Sequence, residues 1–124
     1  MFAMSRIIIK TTTIFAIFGI LGTQKVFGNV VEAKTKKELQ SIIHSNAPVA
    51  IKFYRPSCPA CKSFGPTFAQ AAAEMPQVTF VAVDITSGEG NALGVEHNVQ
   101  RIPTVVHFKH GQEIARKAGS HSKE

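Results

Sequence analysis

Apolar residues follow two different periods between residues 29 and 124, and their alternation predicts strands separated by helices. Val49–Tyr54 and residues 77–85 are near-continuous apolar runs, which are typical of strands buried on both faces of a sheet. Residues 58–75 lie between these runs, and their apolar side chains recur at the spacing of one helix face. This segment therefore predicts a helix that packs against the sheet through Phe64, Phe68, Ala71 and Ala72.

A shorter helix is predicted just before the first buried strand. Thr35 is followed three residues later by Glu38, the spacing of a capping box, in which each side chain accepts a hydrogen bond from the other residue's backbone. Leu39, Ile42 and Ile43 then supply an apolar stripe. We therefore expect a helix that begins immediately after Thr35.

The final predicted elements form a hairpin. Thr104–Lys109 and residues 112–117 flank His110-Gly111, a spacing that predicts two antiparallel strands joined by a tight turn. Residues 29–33 predict a first strand, and residues 91–98 predict a short helix. Strands that alternate with helices and then close in a hairpin predict an α/β fold with a central mixed sheet flanked by helices.

The first 28 residues differ in composition from the rest of the chain. Residues 1–10 carry positive but no negative charge, and the apolar run 14–21 follows them. Small residues then occupy the two positions that a signal peptidase reads, at Val26 and Gly28. We therefore expect residues 1–28 to be a signal peptide, with its cleavage point uncertain, and residues 29–124 to be one exported domain.

A membrane anchor is the alternative interpretation of this leader. The run 14–21 has only eight residues, which is too short to span a bilayer. Extending the run back to Ile7 would include Lys10 and three threonines. We expect a periplasmic or extracytoplasmic protein with no stable membrane span once the leader is removed, and tethering by an uncleaved leader stays open.

Charge gives no reason to propose a nucleic acid or a membrane surface as a partner. The whole chain has a net charge of +6, with 14 basic and 8 acidic residues. Arg6, Lys10 and Lys25 belong to the leader, so the domain itself carries a net charge of +3. That is an ordinary surface charge for one small domain.

Cys58 and Cys61 are the only cysteines, and they lie one helical turn apart. A thiol pair between a strand and a helix predicts a dithiol–disulfide redox couple. The helix start favours negative charge, so it stabilises the thiolate of Cys58. Cys61 is close enough to attack a mixed disulfide formed by Cys58. The pair itself would carry the electrons, without a metal or an organic cofactor.

The cysteine pair has two other interpretations. A structural zinc site needs four ligands, and the chain has no second cysteine pair and no histidines at ligand spacing. A structural disulfide in a binding module without catalytic turnover is the stronger alternative, although such bridges usually close longer loops. The rate of Cys58 alkylation separates this alternative from an enzyme.

The chain resembles the thioredoxin superfamily over residues 30–124. The resemblance rests on the CxxC motif after a strand, on the strand 80–84, and on Ile102-Pro103-Thr104 before the hairpin. It implies a thioredoxin-like fold and a thiol–disulfide oxidoreductase that acts on cysteines of other exported proteins, together with a redox partner protein. It also implies that Pro103 is cis and that the backbone of Ile102 binds an extended substrate.

The residues between the cysteines depart from thioredoxins proper, which have Gly-Pro there and Trp before the first cysteine. This chain has Pro59 directly after Cys58, which is similar to glutaredoxins and to periplasmic disulfide oxidants. Residues at these positions tune the relative stability of thiolate and disulfide. The motif therefore predicts the reaction type, while oxidant, reductant and isomerase directions all stay open.

A second departure lies on the strand before the motif. The family carries a buried Asp at the position of Lys52, where it assists proton transfer from the second cysteine. A cation at this position favours thiolate, so we expect Lys52 to tune the active site, with Asp84 as a partner. The alternative is that Lys52 extends its stem along the surface to reach solvent.

The last residues resemble the beginning of the family's final helix, whose remainder is missing from residues 120–124. That helix covers one face of the sheet in the family. An uncovered apolar face marks a binding surface, a face that a partner covers, or a truncated sequence, and these alternatives stay open. We expect residues 29–124 either to self-associate through this face or to melt at a low temperature and bind a hydrophobic dye.

Overall fold

A computed structural model describes residues 30–119, so the predicted leader and residues 120–124 lie outside the described residues. In the described range no helix is long and apolar enough to cross a membrane. The elements in chain order are β1 (Val30–Glu32), α1 (Lys36–Ile43), β2 (Val49–Tyr54), α2 (Pro59–Glu74), β3 (Thr79–Asp84), α3 (Gly90–Glu96), β4 (Thr104–Lys109) and β5 (Gln112–Ala118).

The five strands form one mixed sheet in the order β1-β3-β2-β4-β5. β1, β3 and β2 are parallel, whereas β4 runs antiparallel to β2 and β5 antiparallel to β4. Phe53 near the end of β2 lies opposite Thr104 at the start of β4. The loops that carry the cysteines and Pro103 therefore meet at the same edge of the sheet. The predicted α/β architecture is confirmed.

Helices cover both faces of the sheet. α1 and α3 contribute Leu39, Ile43 and Leu93 to the larger core cluster, and α2 contributes Phe68 and Ala72 to the other. β2 is buried along nearly its whole length, as its apolar run predicts. Side chains of a strand alternate between faces, so β2 presents Ala50 and Lys52 toward α2 and presents Val49, Ile51 and Phe53 toward the larger cluster.

The start of α1 has one half of the predicted capping box. Thr35 Oγ1 accepts a hydrogen bond from the N–H of Glu38 at 3.2 Å. The carboxylate of Glu38, however, accepts from the N–H of Lys34 at 2.8 Å, not from the N–H of Thr35. The helix still begins at the predicted residue, because the bond to Thr35 satisfies the N–H of Glu38 in its first turn.

The hairpin turn falls where it was predicted. His110 and Gly111 both have positive φ angles, 53° and 77°, and glycine adopts this conformation without steric cost. The side chain of Arg116 connects the exposed strand β5 to the end of α3 by hydrogen bonds. Its guanidinium donates to the carbonyl oxygens of His97 at 2.7 Å and Asn98 at 3.1 Å.

Candidate active site

Cys58 is the N-cap residue of α2, and its sulfur lies at the open end of the helix. The backbone N–H of Cys61 donates a hydrogen bond to Cys58 Sγ over 3.3 Å. Pro59 occupies the first helical position, where the missing N–H costs no hydrogen bond. Both cysteines are buried free thiols, with 7% and 4% of their surfaces exposed.

The surroundings of Cys58 lower the pKa of its thiol. The largest cause is a hydrogen bond from the thiol of Cys61, followed by the backbone N–H of Cys61. The N–H of Ala60 and the positive charge of Arg55 act in the same direction, while burial opposes them. Donors that point at a sulfur stabilise its negative form, so Cys58 carries the more stable thiolate.

The pKa of Cys61 shifts in the opposite direction. Burial is the largest cause of its rise, and the hydrogen bond to Cys58 and the negative charge of Cys58 add to it. A backbone hydrogen bond from Arg55 and the positive charge of Lys52 lower the pKa of Cys61. The two thiols therefore differ in chemistry: the surroundings favour the thiolate form of Cys58 and the protonated form of Cys61.

Lys52 is buried beneath the cysteines on the α2 side of the sheet. Its Nζ lies 4.9 Å from the ring centroid of Tyr54 and 5.0 Å from that of Phe68, which are cation–π distances. Burial lowers the pKa of Lys52, and the negative charges of Glu32 and Cys61 oppose that shift. Its positive charge acts on Cys61 and is absent from the groups that shift the pKa of Cys58.

Glu32, and not the expected Asp84, is the carboxylate that acts on Lys52. Glu32 and Lys52 both lie opposite Ala82, on its two sides, so they share one row across the sheet. Asp84 lies opposite Tyr54 instead, and its carboxylate accepts hydrogen bonds from the N–H and hydroxyl of Thr86. The expectation for Asp84 was wrong because its carboxylate is engaged in its own turn.

The loop before β4 forms the other wall of the site. The Ile102–Pro103 peptide bond is cis, and the carbonyl of Pro103 accepts a hydrogen bond from the N–H of Gly119 at 2.8 Å. The N–H and carbonyl of Ile102 have no hydrogen-bond partner within residues 30–119. They can therefore pair with an extended peptide.

The structure brings the predicted site residues to one edge of the sheet. Cys58, Pro59 and Cys61 lie at the start of α2, and Ile102 and Pro103 approach from the neighbouring strand. Lys52 lies beneath them. Sequence reasoning missed two residues, Arg55 and Glu32. The signal for Arg55 was available, because a basic residue three positions before a nucleophilic cysteine acts on its charge.

The family model for thioredoxin matches residues 30–124. The chain belongs to the thioredoxin family. Thioredoxin of Mycoplasma pneumoniae is 37% identical over 90 residues, which cover 73% of this chain and 86% of that protein. Thioredoxin of Chlamydia trachomatis is 38% identical over 76 residues, which cover 61% of this chain and 72% of that protein.

A solved thioredoxin has the same fold. Mitochondrial thioredoxin 3 from Saccharomyces cerevisiae, in its oxidized form, superimposes with a TM-score of 0.69 and is 28% identical. The superposition covers 74% of this chain and 85% of that protein. The chain is therefore a thiol–disulfide oxidoreductase of the thioredoxin family.

Thioredoxins act on protein disulfides and need no cofactor, since their own cysteines carry the electrons. Within residues 30–119 no cluster of three His, Cys, Asp or Glu side chains could hold a metal ion.

Proposed function

We propose that this protein is exported and exchanges disulfides with cysteines of other exported proteins, with Cys58 as the attacking thiolate and Cys61 as the resolving thiol. The observation that carries the assignment of roles is the hydrogen bond from the Cys61 N–H to Cys58 Sγ. It stabilises negative charge on one sulfur only, and the pKa values of the two thiols shift in opposite directions accordingly.

Reduction of a substrate then takes two exchanges. The Cys58 thiolate attacks one sulfur of the substrate disulfide, forms a mixed disulfide, and releases the other substrate sulfur as a thiolate that takes up a proton. Cys61 loses its proton and attacks Cys58 Sγ, which breaks the mixed disulfide and releases the second substrate sulfur as a thiolate that takes up a proton. The products are a Cys58–Cys61 disulfide and a substrate with two thiols. The reverse sequence oxidises a substrate dithiol, and a redox partner protein resets the pair in either direction.

Ile102 and Pro103 form the substrate-binding part of the site in this proposal. The unpaired N–H and carbonyl of Ile102 support it, because an extended peptide can add to them as a strand adds to a sheet edge. Proline at 103 has no N–H to compete for the same peptide.

Lys52 and Pro59 tune the thiols. The positive charge of Lys52 lowers the pKa of Cys61, which favours the deprotonation that the resolving step requires. Pro59 fills the first position of α2 and leaves the donors of the next residues directed at Cys58 Sγ. The role of Lys52 rests on its positive charge, and the role of Pro59 rests on its position in the helix.

Trapping of substrate tests the exchange reaction. Cys61→Ser should accumulate mixed disulfides with exported proteins, whereas Cys58→Ser should accumulate none. Loss of the trapped species on addition of a reductant confirms the linkage. Equal trapping by both variants, or by neither, would contradict the proposal. The reduction potential of the pair then gives the direction.

Export is supported by the three-part pattern of residues 1–28. The full chain, expressed in a bacterial host and fractionated, should be recovered outside the cytoplasm with residue 29 at its N-terminus. Gly28→Arg is the matched variant, because a long charged side chain at this position should block cleavage. A cytoplasmic protein that begins at Met1 would contradict export.

A further inference from the structure

A groove beside Cys58 carries two arginines and no acidic residue. Its volume is about 240 Å³, and Arg55 and Arg101 line it together with apolar residues and with polar Asn91 and Gln100. We call it the Arg55–Arg101 groove. The apolar lining comes from Ile85, Val95, Val99 and Ile102.

The groove adjoins both halves of the active site. Arg55 immediately follows β2, and its carbonyl accepts a hydrogen bond from the N–H of Cys58 at 3.1 Å. Arg101 precedes Ile102, whose backbone groups are unpaired within the described residues. A peptide whose cysteine reaches Cys58 and whose backbone pairs with Ile102 would therefore have its neighbouring residues in this groove.

Both guanidinium groups are available to a partner. Neither forms an ion pair or a side-chain hydrogen bond within residues 30–119. The carboxylates of two nearby elements are already engaged, since Glu96 pairs with Lys36 at 3.2 Å and Glu113 pairs with Arg116 at 2.7 Å.

The other side of the β2 end has a different charge. The cleft there is lined by Glu32, Asp84 and Lys34, together with Tyr54. An acidic peptide segment would be repelled by the two carboxylates on that side and attracted by the two guanidinium groups on the other side. The charges therefore favour placing the acidic residues of a substrate in the Arg55–Arg101 groove.

We infer that the Arg55–Arg101 groove selects substrates in which acidic and apolar residues flank the reactive cysteine. This inference rests on the proposed disulfide exchange and names its substrate class. Arginine forms bidentate hydrogen bonds with carboxylates, and the apolar residues of the groove would pack against the apolar side chains beside the substrate cysteine. The predicted ligand is an acidic, cysteine-containing peptide segment of another protein.

The first test measures binding without exchange. Two fluorescent peptides, identical except for Glu or Gln on both sides of a serine that replaces the cysteine, are titrated with the purified protein and followed by anisotropy. The Glu peptide should bind about fivefold tighter, as two exposed carboxylate–guanidinium pairs would give. High salt should remove the difference.

Variants then assign the effect to the groove. Arg55→Gln with Arg101→Gln should abolish the preference for the Glu peptide, and Arg101→Gln alone should reduce it. Lys62→Gln is the matched control, because Lys62 is an exposed cation next to Cys61 that does not line the groove. Equal binding of both peptides by the unmodified protein, or an unchanged preference in the double variant, would overturn the inference.

The second test separates this inference from the proposed function. The same peptides, made as disulfides, are reduced by the protein, and kcat/KM is compared between them. Turnover of both peptides at equal rates leaves the exchange reaction intact and overturns the groove's selectivity. Failure to reduce either peptide overturns the exchange reaction, while the anisotropy titration decides the groove. Because Arg55 also acts on Cys58, the ratio between peptides is the quantity compared.

Discussion

The backbone N–H of Cys61 points at Cys58 Sγ over 3.3 Å, so the resolving residue itself stabilises the attacking one. Formation of a mixed disulfide removes the negative charge that this hydrogen bond stabilises. Cys61 then no longer faces a negative neighbour, one of the causes that raise its pKa. The geometry therefore orders the two steps, with Cys58 reacting first and Cys61 becoming easier to deprotonate afterwards.

Serine substitutions should separate the two steps. Cys58→Ser should abolish reduction of insulin disulfides, because no other cysteine remains at the helix start. Cys61→Ser should allow the first exchange and stop before the second, which one covalently bound substrate equivalent per protein would show by mass spectrometry. Substantial multiple turnover by Cys58→Ser would mean that the roles are reversed.

Lys52→Met should slow the resolving step. Removing the buried positive charge raises the pKa of Cys61, and each unit of pKa lowers the thiolate fraction about tenfold below that pKa. The collapse of a preformed mixed disulfide, followed against pH, measures the effect. Lys62→Met, which removes an exposed cation on α2, is the control.

The same variant tests whether Lys52 also stabilises the Cys58 thiolate, as the sequence predicts. Thiolate absorbance of Lys52→Met, combined with Cys61→Ser so that only Cys58 titrates, would then show a raised pKa. An unchanged collapse rate together with an unchanged Cys58 titration would leave Lys52 with a packing role between Tyr54 and Phe68.

Local patterns predicted most of the elements because their signals lie within a few neighbouring residues. The apolar run Val49–Tyr54 coincides with the observed bounds of β2, and the predicted N-cap Thr35 is the observed one. The electrostatic interaction between Lys52 and Glu32 could not be predicted in this way. It depends on β1 and β2 lying on opposite sides of β3 in one register, which is a non-local property.

The candidate site was likewise predictable only where its signals are local or come from the family resemblance. The spacing of Cys58 and Cys61 marks the reactive pair, and the resemblance adds Pro103. The Arg55–Arg101 groove was not predictable, because 46 positions along the chain separate its two cations and only the β2–β4 pairing brings their loops together.

His97 should make the folded state sensitive to mild acid. Its ring centroid lies 5.6 Å from that of Phe53 and 5.7 Å from that of Phe108, and its buried Nε2 has no hydrogen-bond partner among residues 30–119. Burial lowers the pKa of His97 from 6.5. A depressed folded-state pKa contributes stability that is present above the unfolded value and is lost as pH falls through the folded value.

We therefore expect the free energy of unfolding in urea to fall as pH drops from about 6.5 toward 5, and His97→Phe to flatten that slope. His110→Asn is the control, because it replaces an exposed histidine whose positive φ of 53° asparagine tolerates. Equal slopes for the original protein and His97→Phe would show that His97 does not link stability to pH.

Self-association through the face of the sheet that α2 covers stays a prediction. A groove on this face is a specific candidate for the interface. The groove has a volume of about 270 Å³ and lies between α2 and strands β4 and β5. Apolar residues that line it include Phe64, Phe68, Met75, Phe80 and Val105. Phe68 and Phe80 are already buried, so an interface would gain from the exposed parts of the others, and complete burial of one exposed large side chain is worth roughly 1.5–3 kcal/mol.

Met75→Glu should weaken that association, since it places a charge in the groove at a side chain that is 39% exposed. Ile114→Glu changes an apolar residue that is 62% exposed and lies outside the groove, so it should have little effect. Sedimentation velocity at several concentrations measures the change. A protein that stays monomeric at high concentration and binds no hydrophobic dye would contradict the prediction.

Cys58, and not Cys61, should hold the stabilised thiolate. Alkylation of the fully reduced protein, quantified separately for each cysteine by peptide mass spectrometry from pH 4 to 10, tests it most directly. We predict that the rate of Cys58 alkylation rises with a midpoint below the ordinary thiol value of about 8.5, that the midpoint of Cys61 lies above that value, and that Cys58 therefore reacts faster below about pH 8.5. Faster alkylation of Cys61 in that acidic to neutral range, or a shared midpoint near the ordinary value, would show that Cys58 does not hold the stabilised thiolate.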